Sequence, residues 1–557
     1  MRVLLVQPRS PVTYWSHEQS LPFIGKSTLL PPLGLVTLAA LLPERWDLRL
    51  RDLNVAPLAD ADLAWADVVL LSGMLVQADS MRDVLRRARA TGRRTVVGGP
   101  AATASPELFD DADHLFLGEA EGRLALLVAT LEAPGSSPPR RLSPEGEGRP
   151  DLALARVPRF DLLDTSRYAN QALQYSRGCP FHCEFCDIVE LYGNVPRVKT
   201  PSQVVAELDA VYACGARGAL FFVDDNFVGN RREAARLLPV IQAWQERHGF
   251  PFDFLTEASV DLASHPPLVA AMVAAGFSAV FVGIETPSAV ALSQAGKTQN
   301  LRMPQARAVE LLTRAGLEVF AGFIVGFDSD GPDIFDRQIE FISGLAIPRA
   351  MVGVLTAVPG TRLWSRLEQE GRLRHDLPAS GDAFARPNFQ PAMDERTLLV
   401  GYRRLLAALY DADGYYRRCA THLEQTVFRP GVVACGSAAA GASALARAVW
   451  GIGLRGPRRL HFWRLFLGAL RRGGGAVSRA VTLAIVGESL IRYTQEVVLP
   501  RLDQAIAALD RAGETTTGRG EASATVPAED AAHAWRSPRE WARPDGPHPL
   551  GAPTAFR

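Results

Sequence analysis

The chain has 557 residues, with 60 Lys and Arg against 60 Asp and Glu, 22% charged and 47% hydrophobic. That composition describes a large globular protein and excludes a collagen-like, wholly disordered or disulfide-stapled miniature chain. The net charge of zero leaves no overall electrostatic footprint for nucleic acid.

The apolar run that opens the chain is too short for a signal-peptide core. No window offers eighteen apolar residues free of charge, so no transmembrane span is expected. Strand-length apolar runs at 2–7, 48–52, 67–72, 94–98 and 114–118 alternate with amphipathic segments such as 34–42 and 80–91. This alternation predicts a parallel sheet covered on both faces, a doubly wound, Rossmann-like domain over 1–133. Gly25-Lys26-Ser27 imitates the end of a phosphate-binding loop. The first glycine position of that motif holds Ser20, however, and no apolar strand precedes it, so nucleotide triphosphate binding is not expected.

A connector rich in Pro, Gly, Ser and charge follows within 134–164. Further apolar runs at 172–177, 219–224, 252–259, 279–285, 319–325 and 350–356 leave room for one helix between each pair. Six such units predict a partial (β/α) barrel over 165–375. Residues 376–511 then read as helical, and 512–557, rich in Thr, Gly, Glu and Pro, as a disordered tail.

Six cysteines occur, and three of them lie within eight residues in the segment Cys179-Pro-Phe-His-Cys183-Glu-Phe-Cys186, directly after the first barrel strand. A tight cluster in a long chain points to metal chemistry rather than a disulfide framework, and hence to a reducing cytoplasm. Three thiolates at this spacing suit three irons of a [4Fe-4S] cluster, leaving the fourth iron open. Structural zinc would want a fourth ligand, and no second cysteine pair is present; His182 sits between two of the cysteines with little freedom to fold back. Cys214, Cys419 and Cys435 are expected to be core thiols.

With its aromatic Phe185 before the last cysteine, this motif resembles that of the radical S-adenosylmethionine (SAM) enzymes, whose barrels it follows in the same place. The resemblance implies SAM on the open iron. It also implies a set of SAM contacts: Asp224 and Asp225 at the second strand end, Ser259 at the third, Glu285 at the fourth for ribose hydroxyls, and Gly322, Ile324 and Gly326 along adenine, with Phe185 beside them. Glu257 is a weaker candidate on the third strand.

A Rossmann-like domain ahead of such a barrel resembles the cobalamin-binding subgroup, and no dinucleotide GxGxxG follows the first strand. The resemblance implies cobalamin contacts from Ser72, Gly73, Gln77, Gly98, Gly99, Pro100, Gly118 and Glu119. The DxHxxG loop of mutase-type cobalamin domains is absent, since no His lies between Glu18 and His114. The C-terminal Asn-Phe-x-Pro, Gly-Tyr and Tyr-Tyr-x-Arg elements resemble a subset that includes the hopanoid C-2 methylase; helical core packing explains the same aromatics. Between Glu424 and Glu488 lie nine Arg and no acid, in a protein with three Lys, which suggests peripheral contact with the inner membrane face.

Together these resemblances imply an oxygen-sensitive methyltransferase for an unactivated carbon. The cluster would reduce SAM, the deoxyadenosyl radical would take hydrogen from a hydrophobic or natural-product substrate, and methyl-cobalamin would supply the methyl group. A flavodoxin or ferredoxin would donate electrons. Rearrangement, ring contraction or oxidation without methyl transfer is the alternative, followed by a non-catalytic sensor.

Overall fold

The computed structural model of the protein describes residues 1–133, 140–143, 148–377, 386–427 and 438–517. Strands β1 (Arg2–Gln7), β2 (Asp47–Asp52), β3 (Val68–Ser72), β4 (Arg94–Gly98), β5 (His114–Phe116) and β6 (Arg141–Leu142) form one sheet in the order β2-β1-β3-β4-β5-β6. All its pairings are parallel. Alternation along β1 sends Leu4 and Val6 into one apolar layer and Val3 and Leu5 into the other, so the sheet is buried on both faces. β6 lies in the segment read as a connector outside any core. Leu142 is 1% exposed, stands in register with Phe116 and joins the same apolar layer, so one leucine gives that polar stretch an anchor.

Barrel strands β7 (Gln171–Leu173), β10 (Gly218–Phe222), β11 (Phe252–Ala258), β12 (Phe277–Glu285), β13 (Glu318–Val325) and β14 (Ala350–Val354) make a second six-stranded sheet in sequence order. Every neighbour in it is parallel. Between β7 and β10, β8 (Ser176–Arg177) and β9 (Arg197–Val198) form a short antiparallel ribbon around the cysteine loop. Along β11, Phe252, Phe254, Thr256 and Ala258 are buried against helices, whereas Asp253, Leu255 and Glu257 are half-buried on the inner face. The helix Pro201–Ala213 opens with a capping box, Thr200 accepting from the Gln203 amide and Gln203 answering on the Thr200 backbone.

The C-terminal helix Glu395–Leu409 lies along the edge strand β14, and the helices Ala412–Gln425, Arg459–Leu470 and Gly474–Tyr493 pack on one another beyond it. Tyr402 OH donates to the Val352 carbonyl at 2.8 Å, Tyr410 OH to the Ala350 carbonyl, and Arg418 Nε to the Ile347 carbonyl at 3.1 Å. Arg418 of Tyr-Tyr-x-Arg therefore holds the loop before β14, and Tyr415 OH donates to the Leu483 carbonyl at 2.7 Å. Tyr402 of the Gly-Tyr element, with Tyr410, satisfies the exposed sheet edge. Asn388 does the same for Ala357, bonding both its N–H and its carbonyl. Helical packing, of the two readings these residues allowed, accounts for them. At the amino-terminal ends of the strands, buried Glu318 receives Arg349 at 2.7 Å and Arg479 from the helix Gly474–Tyr493.

The loop after β1 crosses to these helices: Tyr14 shares a 2.5 Å hydrogen bond with Thr494, and Tyr493 OH donates to the Val12 carbonyl at 2.8 Å. It also sets the Trp15 ring edge-on to Phe281 of β12, 5.2 Å between centroids. Lys26, from the phosphate-loop imitation, donates instead to the Ser166 carbonyl at 2.8 Å. The helical run Gly474–Ala512 is long and apolar enough to cross a membrane by length and composition, which the charge-free criterion applied to the sequence did not flag; 61% of its apolar window is buried inside the protein, as in a core helix. Cys419 is buried and Cys214 half-buried; Cys435 lies outside the described residues. The C-terminal tail beyond residue 517 also lies outside them, whereas the chain is still helical at 512–517.

Candidate active site

Cys179, Cys183 and Cys186 occupy the loop between β8 and the short helix Ile188–Tyr192. All three are free and half-buried. The loop is pinned by backbone bonds from Glu184 N–H to Ala295 O at 2.8 Å and from Leu363 N–H to Glu184 O at 2.9 Å. Arg366 Nε adds a bond to the Glu184 carboxylate at 2.5 Å. Gly178 enters the loop at φ +93°, with Gly193 O only 2.8 Å from where a Cβ would stand. Burial pushes the Cys186 thiol up to about 12 and raises Cys179, so apolar enclosure alone disfavours the thiolates.

The groups facing the sulfurs favour thiolates and thus fit a cationic iron centre. Gln299 Nε2 stands 3.5 Å from Cys183 Sγ, and Asn226 Nδ2 3.9 Å from Cys179 Sγ. The Lys297 ammonium lies over the Phe185 ring at 5.6 Å; burial would lower its pKa, but Glu285 first and then the nearby Cys183 and Cys186 raise it. Among the described residues no fourth His, Cys, Asp or Glu joins the three cysteines as a tetrahedral zinc site would require. Exposed His182 pairs its ring with Asn194 at 3.5 Å.

The strand ends surround this loop. Asp224 is fully buried and accepts from the backbone of Tyr175 and Ser176, so its oxygens are taken by the end of β7; burial pushes it up to about 7. The expectation that Asp224 and Asp225 serve SAM alike is thereby corrected. Asp225 keeps Oδ2 without a partner, and burial pushes it up to about 6. Glu257 on the inner face of β11 is pushed up to about 8, first by burial and then by the charges of Asp225 and Asp224. Ser259 donates to Asp261 at 2.5 Å and its N–H meets Asn226. Glu285 ends β12 at φ +66°, in the left-handed region, with its carboxylate on Lys297. Gly283 makes room for that pair: a Cβ there would stand 2.5 Å from Lys297 Nζ. Gly322 lies beneath the Phe281 ring, Ile324 and Phe185 pack against the same apolar cluster, and the Gly326 N–H is held by Asp330 at 2.9 Å.

In the first domain Ser72, Gly98 and Gly118 stand at or just beyond the carboxyl ends of β3, β4 and β5, with Ser72 in register with Gly98. Gly118, at φ +88°, borders open space where a Cβ would stand, which fits a large ligand lying against bare backbone. Gly99, at φ +85°, sits under Ser72 Oγ, and Pro100 begins the helix Pro100–Ala104. Gly73 is fixed by packing, with Pro8 Cγ 2.7 Å from a would-be Cβ. Gln77, named among the implied cobalamin contacts, is taken up by the protein instead. It is 4% exposed and bonds Pro8 O at 2.9 Å, Ser10 Oγ at 3.0 Å and the Met74 N–H at 2.9 Å, so its amide serves the fold.

Glu119 likewise has a protein partner on each oxygen. It accepts Arg197 at 2.8 Å and Arg177 at 2.9 Å, while Arg177 reaches Glu121 at 2.7 Å. Burial would raise Glu121, but Arg177 outweighs it and holds that carboxylate below its usual range. This nearly dry network fastens the carboxyl edge of the first sheet to the ribbon beside the cysteine loop. The sequence reading missed Arg177, Arg197, Glu121, Lys297 and Gln299. The one available signal was Lys297, a rare lysine in an arginine-rich chain.

Residues 27–128 match the family described as the B12 binding domain, 173–342 the radical SAM superfamily, and 361–500 a domain of unknown function, DUF4070. An uncharacterized methyltransferase of Synechocystis sp. is 40% identical over 89% of this chain and 92% of its own. The hopanoid C-2 methylase of Rhodopseudomonas palustris is 36% identical over 89% and 94%. Among solved structures, the radical SAM methyltransferase TsrM of Kitasatospora setae, with cobalamin and a [4Fe-4S] cluster bound, superposes with a TM-score of 0.58 at 15% identity, covering 89% of this chain and 99% of that one.

Proposed function

The chain belongs to the cobalamin-dependent radical SAM methyltransferases, and from that membership we propose that it methylates an unactivated carbon of a hydrophobic or natural-product small molecule. One observation carries the reading: a three-thiol loop and the bare carboxyl edge of a B12-type sheet are held together by the buried Arg177–Glu119–Arg197 and Arg177–Glu121 contacts. Bound here, the cluster, SAM and cobalamin supply a carbon-centred radical and a methyl group, chemistry that no side chain offers.

The share of the chain itself is binding, orientation and exclusion of water. Cys179, Cys183 and Cys186 hold the cluster, with Gln299, Asn226 and Lys297 turned toward their sulfurs. Asp225 offers an unpartnered carboxyl oxygen to the SAM amino group, with Ser259 tied to its neighbour Asn226. Lys297 fixes Glu285 for the ribose hydroxyls, and Gly322, Ile324 and Gly326 give a flat backbone for adenine. Ser72, Gly98, Gly99, Pro100 and Gly118 form the edge that receives cobalamin. The ion-pair network fixes the separation of these two edges, as alignment of large partners requires.

The naming of one relative as a hopanoid C-2 methylase supports a polycyclic, hydrophobic substrate. Relatives named as methyltransferases favour methyl transfer over rearrangement, ring contraction or oxidation, and over a sensor. Electrons come from a flavodoxin or ferredoxin, and the protein works in the cytoplasm, at the inner membrane face. The test is metabolite comparison of a deletion strain. It accumulates a compound one methylene lighter than the wild-type product, which the purified protein converts with transfer of label from methyl-labelled SAM. Conversion without label transfer rules methyl transfer out.

A further inference from the structure

The helix Arg459–Leu470 buries Phe462, Leu465 and Ala469 against its neighbours. Its opposite face carries Leu460, Arg464 and Leu467, continued by Arg471, spaced so that all four share one exposed stripe. The preceding π-helical turn Val449–Leu454 exposes Trp450 and Leu454 one helical turn apart, with the Arg455 guanidinium stacked 4.1 Å over the Trp450 ring. Trp450, Leu454, Leu460, Leu467 and Leu470 are between 49% and 64% exposed. Arg455, Arg459, Arg464, Arg471 and Arg472 are exposed among them. Of the acids packed nearby, Asp413 is paired with His461 at 2.7 Å, and Glu488 is held by Arg458.

We propose that this surface docks on an anionic phospholipid bilayer, its Trp and Leu side chains entering the boundary between headgroups and acyl chains while the arginines meet lipid phosphates. The argument is charge complementarity. An apolar stripe alone would suit many partners, but a stripe interleaved with five exposed arginines, beside which Asp413 and Glu488 are already paired, suits a negatively charged one. A second copy of this chain fits poorly, because a twofold contact would set arginine against arginine. Trp450 is also the residue type that favours the membrane interface. The proposal deepens the location given above and rests on that part of it alone. It needs neither SAM nor turnover, so it and the assignment of the reaction fail separately.

The test is co-sedimentation of the full-length, cofactor-loaded protein with vesicles of phosphatidylcholine, alone or with about one third phosphatidylglycerol. Binding is expected only to the anionic vesicles and weakens as salt is raised. Arg464→Gln with Arg471→Gln loses roughly fivefold in partition per arginine. Leu460→Glu with Leu467→Glu abolishes binding, and both variants keep the wild-type iron and cobalamin content. No binding by the wild type, or equal binding by both variants, overturns the proposal. So does a solution dimer that the leucine variant dissolves without any vesicle binding.

Discussion

Glu257 shows how far the barrel interior departs from water. A carboxyl pushed up to about 8 beside Asp224 at about 7 and Asp225 at about 6 means that the folded chain holds protons the unfolded chain has released by about pH 5. Folded pKa values above unfolded ones make stability fall as pH rises through that interval. His17, lowered by desolvation to about 3, and His422, lowered to about 4, act in the opposite sense. They do so only below about pH 6.5, where the unfolded imidazoles take up protons. Between pH 6.5 and 8 the carboxyls therefore decide the slope. The cofactor-free protein is expected to melt at a lower temperature at pH 8 than at pH 6.5, and Glu257→Gln to flatten that dependence in differential scanning fluorimetry. A wild-type melting temperature that stays level or rises contradicts the burial of this group. From sequence, Asp224 and Asp225 were indistinguishable neighbours; which one faces the site depends on the backbone of Tyr175 and Ser176, forty-eight residues or more away.

Among the elements, β14 and its helical cover show what sequence patterns convey and omit. All six barrel strands were legible as apolar runs because parallel strands are buried on both sides. The two-residue β6 was not, since its only apolar anchor is Leu142 within a polar, Pro-rich stretch. The Gly401-Tyr402 element was visible too, but its purpose was not, and Tyr410 carried no signal, because capping a sheet edge depends on a tertiary neighbour. Gly401 belongs to that packing: a Cβ there would stand 2.2 Å from the Phe335 ring, so the helices Ile334–Gly344 and Glu395–Leu409 approach through a missing side chain. Helix propensity alone makes Gly→Ala favourable by about 1 kcal/mol. Gly401→Ala is instead expected to destabilise by about 1–3 kcal/mol in urea unfolding, because the ring must leave its place. An unchanged or raised midpoint contradicts the close approach.

For the whole molecule, zero net charge proves to be an average over opposite regions. Acids gather in the barrel lumen, around Asp225, Asp253 and Glu257, while the exposed face of Arg459–Leu470 carries arginine. The carboxyl edge of the first sheet and the ribbon beside the thiol loop meet through Arg177, Arg197, Glu119 and Glu121, partners 56 to 78 residues apart that no local motif connects. The thiol loop was legible because its three cysteines lie within eight residues, whereas the groups facing it, Gln299 and Lys297, come from beyond β12. Anaerobic reconstitution tests the central claim most directly. The wild-type protein is expected to hold about four iron and one cobalamin per chain and, once reduced, to cleave SAM to 5′-deoxyadenosine. Cys183→Ala is expected to lose the iron and the cleavage while keeping cobalamin; a cluster retained by that variant, or a fully loaded, reduced wild type that leaves SAM intact, contradicts the account.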